Sequence, residues 1–350
     1  MRAPYATVER VMRAADIKAT AYATNEILDA ILSASDSVDR LVNLGDATRP
    51  GFAPWAGAIT FDWPVVNNNN GYRFDLNQFR LHSLTSMVSG GDALTGSALP
   101  WPSYGPPYSS VEIDQSGSDS LDYGSGVGQR SLVMSGTWGV LGETSERSAW
   151  TLGASASSSV TTLTLNAPIG IGSIVSLGSE RIIVSARSWA ASGQTASALT
   201  AAVNAQSITV SDGSAFLAGE EIIVDAERML VRDVVGNVLV VQRSTSGSAL
   251  AAHSNGTAIY WARSCEVERG ALGTTADSHT SGDAVGIYRA PSLVEQLTIA
   301  YALDRRAQES AGYARTIGQG ESERQVSARG IAELERRVLA AYGRIRYRAI

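Results

Sequence analysis

Apolar residues recur every three or four positions near the start of the chain, which is the spacing of one buried face of an α-helix. Between Thr24 and Gly45 the apolar positions share such a face, and charged residues lie between them. Thr24 or Asn25 is suited to cap this helix, and Gly45 to end it. The apolar face consists of Ile27, Ile31, Ala34, Val38, Leu41 and Val42. The pattern predicts a long helix over 24–44, preceded by a short amphipathic helix over 4–16.

Alternating apolar and polar residues, typical of strands, follow a loop rich in proline and glycine. In the segment 58–64, Ile59, Phe61 and Trp63 fall on one side, and Pro64 ends the pattern. Similar alternation predicts strands over 72–76, 81–88, 110–114 and 131–140.

The segment 101–108 contains three prolines, which fix φ and remove hydrogen-bond donors, so we expect irregular structure there. Its aromatic residues, Trp101, Tyr104 and Tyr108, form either an exposed stacking platform or the packing of the loop itself.

The composition changes after about residue 144. Residues 145–290 are rich in Ser, Ala, Thr, Gly and Val, with short apolar bursts between turn residues, which predicts an all-β region. After Pro291 the helical spacing returns. It predicts one helix that begins near Leu293 and a final helix over 331–342.

The β region contains a repeat with two different offsets. At an offset of 26 residues, Arg243, Gly247, His253 and Gly256 recur as Arg269, Gly273, His279 and Gly282. At an offset of 47, the run Glu180-Arg181-Ile182-Ile183-Val184 recurs as Glu227-Arg228-Met229-Leu230-Val231. Unequal offsets exclude a plain tandem array. They fit an inner copy at about 189–261 nested within a unit formed by 159–188 and 262–289. The repeated His253 and His279 favour either a duplicated structural turn or a shared metal or ligand site.

Composition and charge limit the functional classes. The single cysteine, Cys265, excludes an internal disulfide, and no apolar run approaches the roughly 18 residues of a membrane span. The net charge is -6, yet residues 301–350 carry ten Arg against six acidic residues. No metalloprotease, P-loop or nucleophile-elbow motif occurs. We therefore expect a protein that is not an enzyme, with no catalytic residue, metal or cofactor.

The order of several fragments resembles the head–tail connector (adaptor or neck) proteins of long-tailed double-stranded DNA phages. The matching fragments are Tyr5-Ala6-Thr7-Val8-Glu9, the helix from Ile27 to Leu44, Phe61-Asp62-Trp63-Pro64, the run 81–91, Gly105-Pro106-Pro107-Tyr108, Gly136-Thr137-Trp138-Gly139 and the two closing helices. The resemblance covers 1–144 and 291–350 and leaves 145–290 outside it.

The resemblance implies a helical-bundle connector core with a small β portion. The composition of 145–290 and its repeat add an inserted all-β domain made of two nested modules, so the expected fold class is α+β. Residues 1–144 and 291–350 would form the core, and 145–290 the insertion. Deleting about 146–289 should then leave a folded core. The family also implies a dodecameric ring that docks under the portal protein, continues the DNA channel and meets a tail-side neck or tail-terminator protein. A transient contact with viral DNA stays open, and the expected location is the virion neck, assembled in the host cytoplasm with no membrane.

The C-terminal segment is the predicted portal-binding arm, because flexible segments rich in Arg and Tyr can order on an acidic surface. The predicted contact residues are Arg336, Arg337, Tyr342, Arg344, Arg346, Tyr347 and Arg348. Two other functional classes stay open. One is a minor tail or surface-binding protein whose β modules recognise carbohydrate or a capsid partner, and the other is a cell-wall hydrolase.

Overall fold

β-Structure dominates the molecule. The computed structural model describes residues 3–15, 23–42, 51–62, 73–76, 79–94, 98–114, 116, 119, 121, 128–140, 145–310, 316–317, 324–325 and 328–343. Strands account for 39% of these residues and helices for 22%. The predicted helical-bundle core is therefore wrong, since a closed six-stranded β-barrel forms the centre of the described chain.

The elements follow the predicted order along the chain. The helices are α1 (Val8–Ala14), α2 (Thr24–Leu41), α3 (Ser292–Ser310) and α4 (Ala328–Tyr342). The strands are β1 (Trp55–Phe61), β2 (Arg73–Asp75), β3 (Leu81–Ser89), β4 (Asp92–Ala93), β5 (Ala98–Trp101), β6 (Ser110–Ile113), β7 (Leu132–Trp138), β8 (Ser145–Leu152), β9 (Thr162–Asn166), β10 (Ile174–Leu177), β11 (Glu180–Ala196), β12 (Ser207–Thr209), β13 (Glu221–Val224), β14 (Glu227–Val235), β15 (Val238–Gln242), β16 (Thr257–Glu268), β17 (Ala284–Ile287), β18 (Thr316–Ile317) and β19 (Arg324–Gln325).

The long N-terminal helix starts where the sequence predicts, at Thr24. The predicted cap is wrong, because Ala23 occupies the capping position and no side chain caps the helix. Its apolar face is buried as expected, with Ile27, Ile31 and Val38 at most 1% exposed. The predicted stop, Gly45, lies outside the described residues.

The barrel closes through six antiparallel pairings. Its strands follow the order β11, β10, β17, β8, β9 and β16, and β16 pairs back onto β11. A closed ring leaves no unpaired strand edge within it. The interior is filled by apolar side chains, including Trp150, Leu152, Leu163, Leu165, Val175, Leu177, Ile182, Val184, Cys265, Val285 and Ile287.

A second set of strands repeats this pairing order beyond the barrel. Strands β11 and β16 are long enough to continue past it, and their far halves join β12, β13, β14 and β15. A hydrogen bond from the Ser197 N–H to the Thr209 carbonyl (3.0 Å) links the end of β11 to β12. Six strand segments again surround one core, which includes Ile208, Phe216, Ile222, Val224, Met229, Val231, Leu239, Val241 and Ile259.

Equivalent hydrogen bonds place each half of the repeat. The Arg181 carbonyl accepts from the Ala271 N–H (2.7 Å), and the Arg228 carbonyl accepts from the Thr245 N–H (2.9 Å). The strand bearing Arg181 thus pairs with the distant 269–274 half, while the strand bearing Arg228 pairs with the nearby 243–248 half. This is the connectivity that nesting of one copy within another requires.

The helices pack both on one another and on the barrel. Side chains of α1, α2 and α3 share an apolar cluster, including Val11, Ile31 and Ala302, which meets the barrel side through Ile171. Apolar side chains of α2, α3 and α4 share one cluster with barrel residues, namely Val38, Val294, Leu297 and Val338 with Ile174, Ile183, Ala271 and Leu272. A helical period predicts that one face is buried but does not identify what covers it. Here other helices cover Ile27 and Ile31, whereas Val38 packs in the cluster shared with the barrel. Among the described residues, no helix has the length and hydropathy needed to cross a membrane.

Two small sheets form the remaining β portion. Strands β1, β7, β3 and β4 make one sheet, and β2, β6 and β5 make the other. The expected strands near 72–76, 81–88, 110–114 and 131–140 are confirmed as β2, β3, β6 and β7. Trp138 is fully buried between the sheets, and its Nε1–H donates to the Gly57 carbonyl at 2.9 Å. Gly136 is required in β7, because a Cβ there would lie 2.0 Å from the Ser83 carbonyl oxygen.

Candidate functional site

The predicted arm residues fall partly on α4 and partly beyond the described chain. Arg336 and Arg337 are exposed, and Arg336 pairs with Glu333 at 2.7 Å. Tyr342 is half-buried, with its ring edge-to-face against Phe52 at a centroid distance of 5.2 Å. The other four predicted contacts, Arg344, Arg346, Tyr347 and Arg348, lie outside the described residues.

The first repeated polar cluster lies at a turn of the barrel. Arg269 donates through Nε and Nη2 to the two carboxylate oxygens of Glu180, at 2.8 and 2.9 Å. His279 Nε2 lies 2.7 Å from the same carboxylate, which also accepts from the Gly270 and Asp277 N–H groups at 2.9 and 3.1 Å. The Glu180 side chain is fully buried. A buried carboxylate with this many donors joins the β10–β11 hairpin to the turn after β16.

The second set of strands contains an equivalent cluster. Arg243 donates through Nε and Nη2 to the two carboxylate oxygens of Glu227, both at 2.7 Å. His253 Nε2 lies 2.9 Å from this carboxylate, and the Ser244 and Ala251 N–H groups donate at 2.9 and 3.1 Å. Each repeated histidine therefore contacts a glutamate of its own half. This arrangement favours the duplicated structural turn over a shared metal or ligand site.

The electrostatics of these clusters are those of permanently charged carboxylates. Burial raises the pKa of Glu180, but hydrogen bonds from Arg269, Gly270, His279 and Asp277 outweigh it and lower the pKa to about 2. Glu227 follows the same pattern, with burial opposed by its donors and a net lowered pKa. Within the described part of the chain, no group of three or more His, Cys, Asp or Glu residues is placed to hold a metal ion.

A different constellation forms where α1 meets the barrel. The Val8 N–H donates to the Ile171 carbonyl at 2.9 Å, and the Ile171 N–H donates to the Glu9 carboxylate at 3.0 Å. Thr7 caps the helix by accepting from the Arg10 N–H. Gly170 allows this close approach, because a Cβ there would lie 2.3 Å from Glu9 Oε2. The first turn of α1 is thus held against the β9–β10 loop.

Arg187 of β11 connects these groups below the surface. Its Nη2 lies 2.5 Å from Glu9 Oε1 and 3.5 Å from Glu221 Oε2, and its Nη1 donates to the Ile169 carbonyl at 2.5 Å. Arg13 approaches the other oxygen of Glu221 at 2.8 Å. The Arg187 side chain is 7% exposed. Burial lowers the pKa of Arg187, but the Glu9 and Glu221 carboxylates reverse this and raise it, so the guanidinium is charged.

These residues line a cavity of ≈ 580 Å³ between α1 and the two sets of strands. The lining residues are Thr7, Glu9, Arg10, Arg13, Trp150, Pro168, Ile169, Gly170, Arg187, Ala218, Gly219, Glu221, Leu230, Arg232 and Arg289. Five arginines and two glutamates give the lining a formal charge of +3, in a chain whose net charge is -6. Glu295 lies next to this lining and pairs with Arg10 at 2.9 Å, so the cavity and its immediate surroundings keep an excess of positive charge of +2.

Sequence reasoning did not find this cavity. Glu9 and Arg187 are separated by 178 residues, and Arg187 and Glu221 by 34, so no fixed motif spacing joins them.

The fold and this cavity define a class: a mainly β protein with a closed six-stranded barrel, a second β unit continuous with it, and a cover of short helices. No protein-family model, curated protein or solved structure matches the chain.

Proposed function

We propose that this chain is a structural virion protein that joins portal to tail as one subunit of a neck ring. The collinear fragments shared with phage head–tail connectors support this proposal, although the helical-bundle fold expected with them is wrong. The observation that carries it is the packing of α4, whose last residue, Tyr342, is held against the body.

The inner face of α4 anchors it to the body. Val338 is fully buried, and Ile331, Leu334 and Tyr342 pack against the cluster shared by the helices and the barrel. Phe52, against which Tyr342 packs, also contacts the N-terminal Tyr5 with ring centroids 5.8 Å apart. The C-terminal end of α4 therefore lies beside the N-terminal part of the body.

The outer face of α4 offers a surface suited to an acidic partner. Arg336 and Arg337 are exposed, and Leu339 is 42% exposed beside them. Arginine forks form bidentate hydrogen bonds with carboxylates, and these geometries are specific as well as strong. In the proposed neck, this face and the arm contact carboxylates of the portal protein.

The proposed assembly is a homo-oligomeric ring, a dodecamer by resemblance to the family, and its closure requires a heterologous interface between neighbouring subunits. The other proposed partner is a tail-side neck or tail-terminator protein, with viral DNA passing through the channel. The proposed location is the virion neck, assembled in the host cytoplasm. The role is structural and involves no catalysis.

Cosedimentation with purified portal rings tests this function. A chain lacking 343–350 and the double variant Arg336→Ala/Arg337→Ala should both lose stable attachment, because each removes carboxylate-binding forks. Arg40→Ala is the matched control, since Arg40 is 63% exposed on α2 and pairs with Asp36 as Arg336 pairs with Glu333. Attachment that is unchanged in the truncated chain would contradict the arm's role.

A second candidate, a surface-binding protein, is favoured by one observation. Tyr104 is 91% exposed and Trp101 is 40% exposed on the β5–β6 connection, with the Arg73 guanidinium 5.1 Å from the Trp101 ring. Tyr108, in contrast, packs against the core of the small sheets. Exposed aromatic faces can stack on sugar rings. Quenching of tryptophan fluorescence by host surface polysaccharide, lost in Tyr104→Ala, would support this candidate over the neck protein.

A further inference from the structure

We propose that the arginine-lined cavity binds a compact oxyanion ligand that carries at least two phosphate or carboxylate groups. The cavity lies between α1 and the strands, whereas α4 carries the proposed portal contact. The inference therefore stands independently of the neck function.

The shape of the cavity suits a small molecule. Its volume of ≈ 580 Å³ falls within the range of about 300–1,000 Å³ that small-molecule sites commonly have. Its walls come from α1, from the β9–β10 loop and from strands of both β units, so the space is bounded on several sides. Trp150 and Leu230 contribute apolar surface between the charged groups.

The charge of the cavity selects an anion. Glu9 and Glu221 are engaged by Arg187 and Arg13, and Arg10 pairs at 2.9 Å with Glu295, which lies next to the lining. With Glu295 counted, five arginines face three glutamates, and the formal charge around the cavity is +2. Arg232 is exposed and donates to the neutral Gln242, a partner that does not compensate its charge. Guanidinium groups that converge on one cavity bind phosphate and carboxylate oxygens preferentially, because their planar forks match these groups.

One lining residue has a buried donor without a hydrogen-bond partner. Arg187 is 93% buried, and its Nε–H has no hydrogen-bond partner among the described residues. A buried N–H without an acceptor is costly, and buried donors are normally satisfied. An oxyanion in the cavity would supply the acceptor that this N–H lacks.

An extended nucleic acid fits these observations less well than a small ligand. Proteins that track a nucleic-acid backbone use a long basic groove, whereas the arginines here converge on one bounded space. We therefore assign the site to a free small anion and treat a nucleic acid as a competing outcome.

Isothermal titration calorimetry of the full chain at low ionic strength, with inorganic pyrophosphate and separately with citrate, tests the site. The wild type should bind at least one of these anions at a single site. Arg232→Gln should weaken binding by about tenfold, because it removes a charged donor. Since Arg232 is exposed, this variant should keep the melting temperature of the wild type.

Arg228→Gln is the matched control. Arg228 lies on the same strand, but its guanidinium stacks on Trp189 at 5.4 Å and does not line the cavity. This variant changes the net charge equally and should bind the anion with less than about twofold loss. Equal weakening by both variants, or no heat from either anion, would overturn the assignment. Binding confined to a short single-stranded oligonucleotide would replace it with a nucleic-acid surface.

Discussion

Two buried carboxylates, Glu180 and Asp39, have pKa values shifted in opposite directions because their donors differ. Glu180 accepts from a guanidinium, an imidazole and two backbone N–H groups. Asp39 accepts from the neutral Tyr5 hydroxyl at 2.8 Å and the Phe52 N–H at 3.3 Å. Burial raises the pKa of Asp39 to about 7, and these two hydrogen bonds offset it only in part.

Replacing Glu180 should be strongly destabilising. Glu180→Gln keeps the side-chain shape but leaves the Arg269 guanidinium buried without its carboxylate. The free energy of unfolding should fall by about 3–5 kcal/mol, the usual effect of breaking one partner of a buried pair. Urea denaturation measures it. Glu266→Gln, at an exposed position on β16, is the control and should change stability little. A loss in Glu180→Gln no larger than in this control would contradict the structural role.

Asp39 should make stability fall as pH rises. The pKa of Asp39 is about 7 in the folded state, above its usual value. At any pH between the unfolded and the folded pKa, the folded chain therefore binds more protons than the unfolded chain. The stabilisation is complete below the unfolded pKa and is lost as pH rises through 7. Melting temperatures at pH 5 and pH 8 should therefore differ less in Asp39→Asn than in the wild type. Asp29→Asn, exposed on the same helix, should behave like the wild type, and an unchanged pH response in Asp39→Asn would refute the assignment.

Glu180 should change stability with pH in the opposite direction to Asp39, and at lower pH. Its pKa of about 2 in the folded state lies below the unfolded value. Its contribution to the free energy of unfolding is therefore present above the unfolded pKa and is lost as pH falls toward 2.

The sequence repeat predicts that the turn with Arg269 and His279 is equivalent to the turn with Arg243 and His253, yet it did not identify Glu180 as a partner of Arg269 and His279. The reason is that 89 residues separate Glu180 from Arg269 along the chain.

At the scale of elements, the periodic patterns located most helices and strands but not their neighbours. The start of α2 and strands β2, β3, β6 and β7 could be predicted, because alternation and helical spacing are local properties. The packing of α2, α3 and α4 on Ile174, Ile183 and Ala271 could not be predicted, since nothing local specifies which buried faces meet.

The docking of α1 depends on the space at Gly170. Gly170→Ala would place a Cβ 2.3 Å from Glu9 Oε2 and 2.8 Å from Thr7 Cβ. The helix should shift away, and amide hydrogen exchange over 8–14 should become faster while the strands keep their protection. Gly330→Ala is the control: no atom lies within 4 Å of its new Cβ, and it should stabilise α4 by about 0.5–1 kcal/mol. Unchanged exchange in α1 of Gly170→Ala would show that the contact does not hold the helix.

At the scale of the whole molecule, the helices and the barrel share one apolar cluster. Residues before 145 and after 290 contribute Val38, Phe52 and Val338, and the region between contributes Ile174 and Leu272. The sequence alone suggests that deleting about 146–289 leaves a folded remainder. The shared cluster instead predicts that such a chain exposes this apolar surface and loses cooperative unfolding. Circular dichroism melting measures this, and a sharp transition in the deleted chain would contradict it.

The candidate cavity is likewise a property of the whole fold. Its walls combine residues from the first helix with residues from both β units, including Glu9, Arg187 and Arg232. The sequence showed an acidic chain with a basic C-terminal segment, but not this internal concentration of arginines. The sequence does not show which charged residues strand pairing will bring together, so this concentration could not be predicted before the strand pairing was known.

The central claim, a subunit of a neck ring, is tested most directly by negative-stain electron microscopy of the purified full chain, alone and mixed with portal rings. The account predicts closed rings with a central hole that stack coaxially on the portal. The chain lacking 343–350 should stay folded and fail to stack. Isolated monomers or trimeric rods that never form rings, with or without portal, would contradict the account and favour a surface-binding protein.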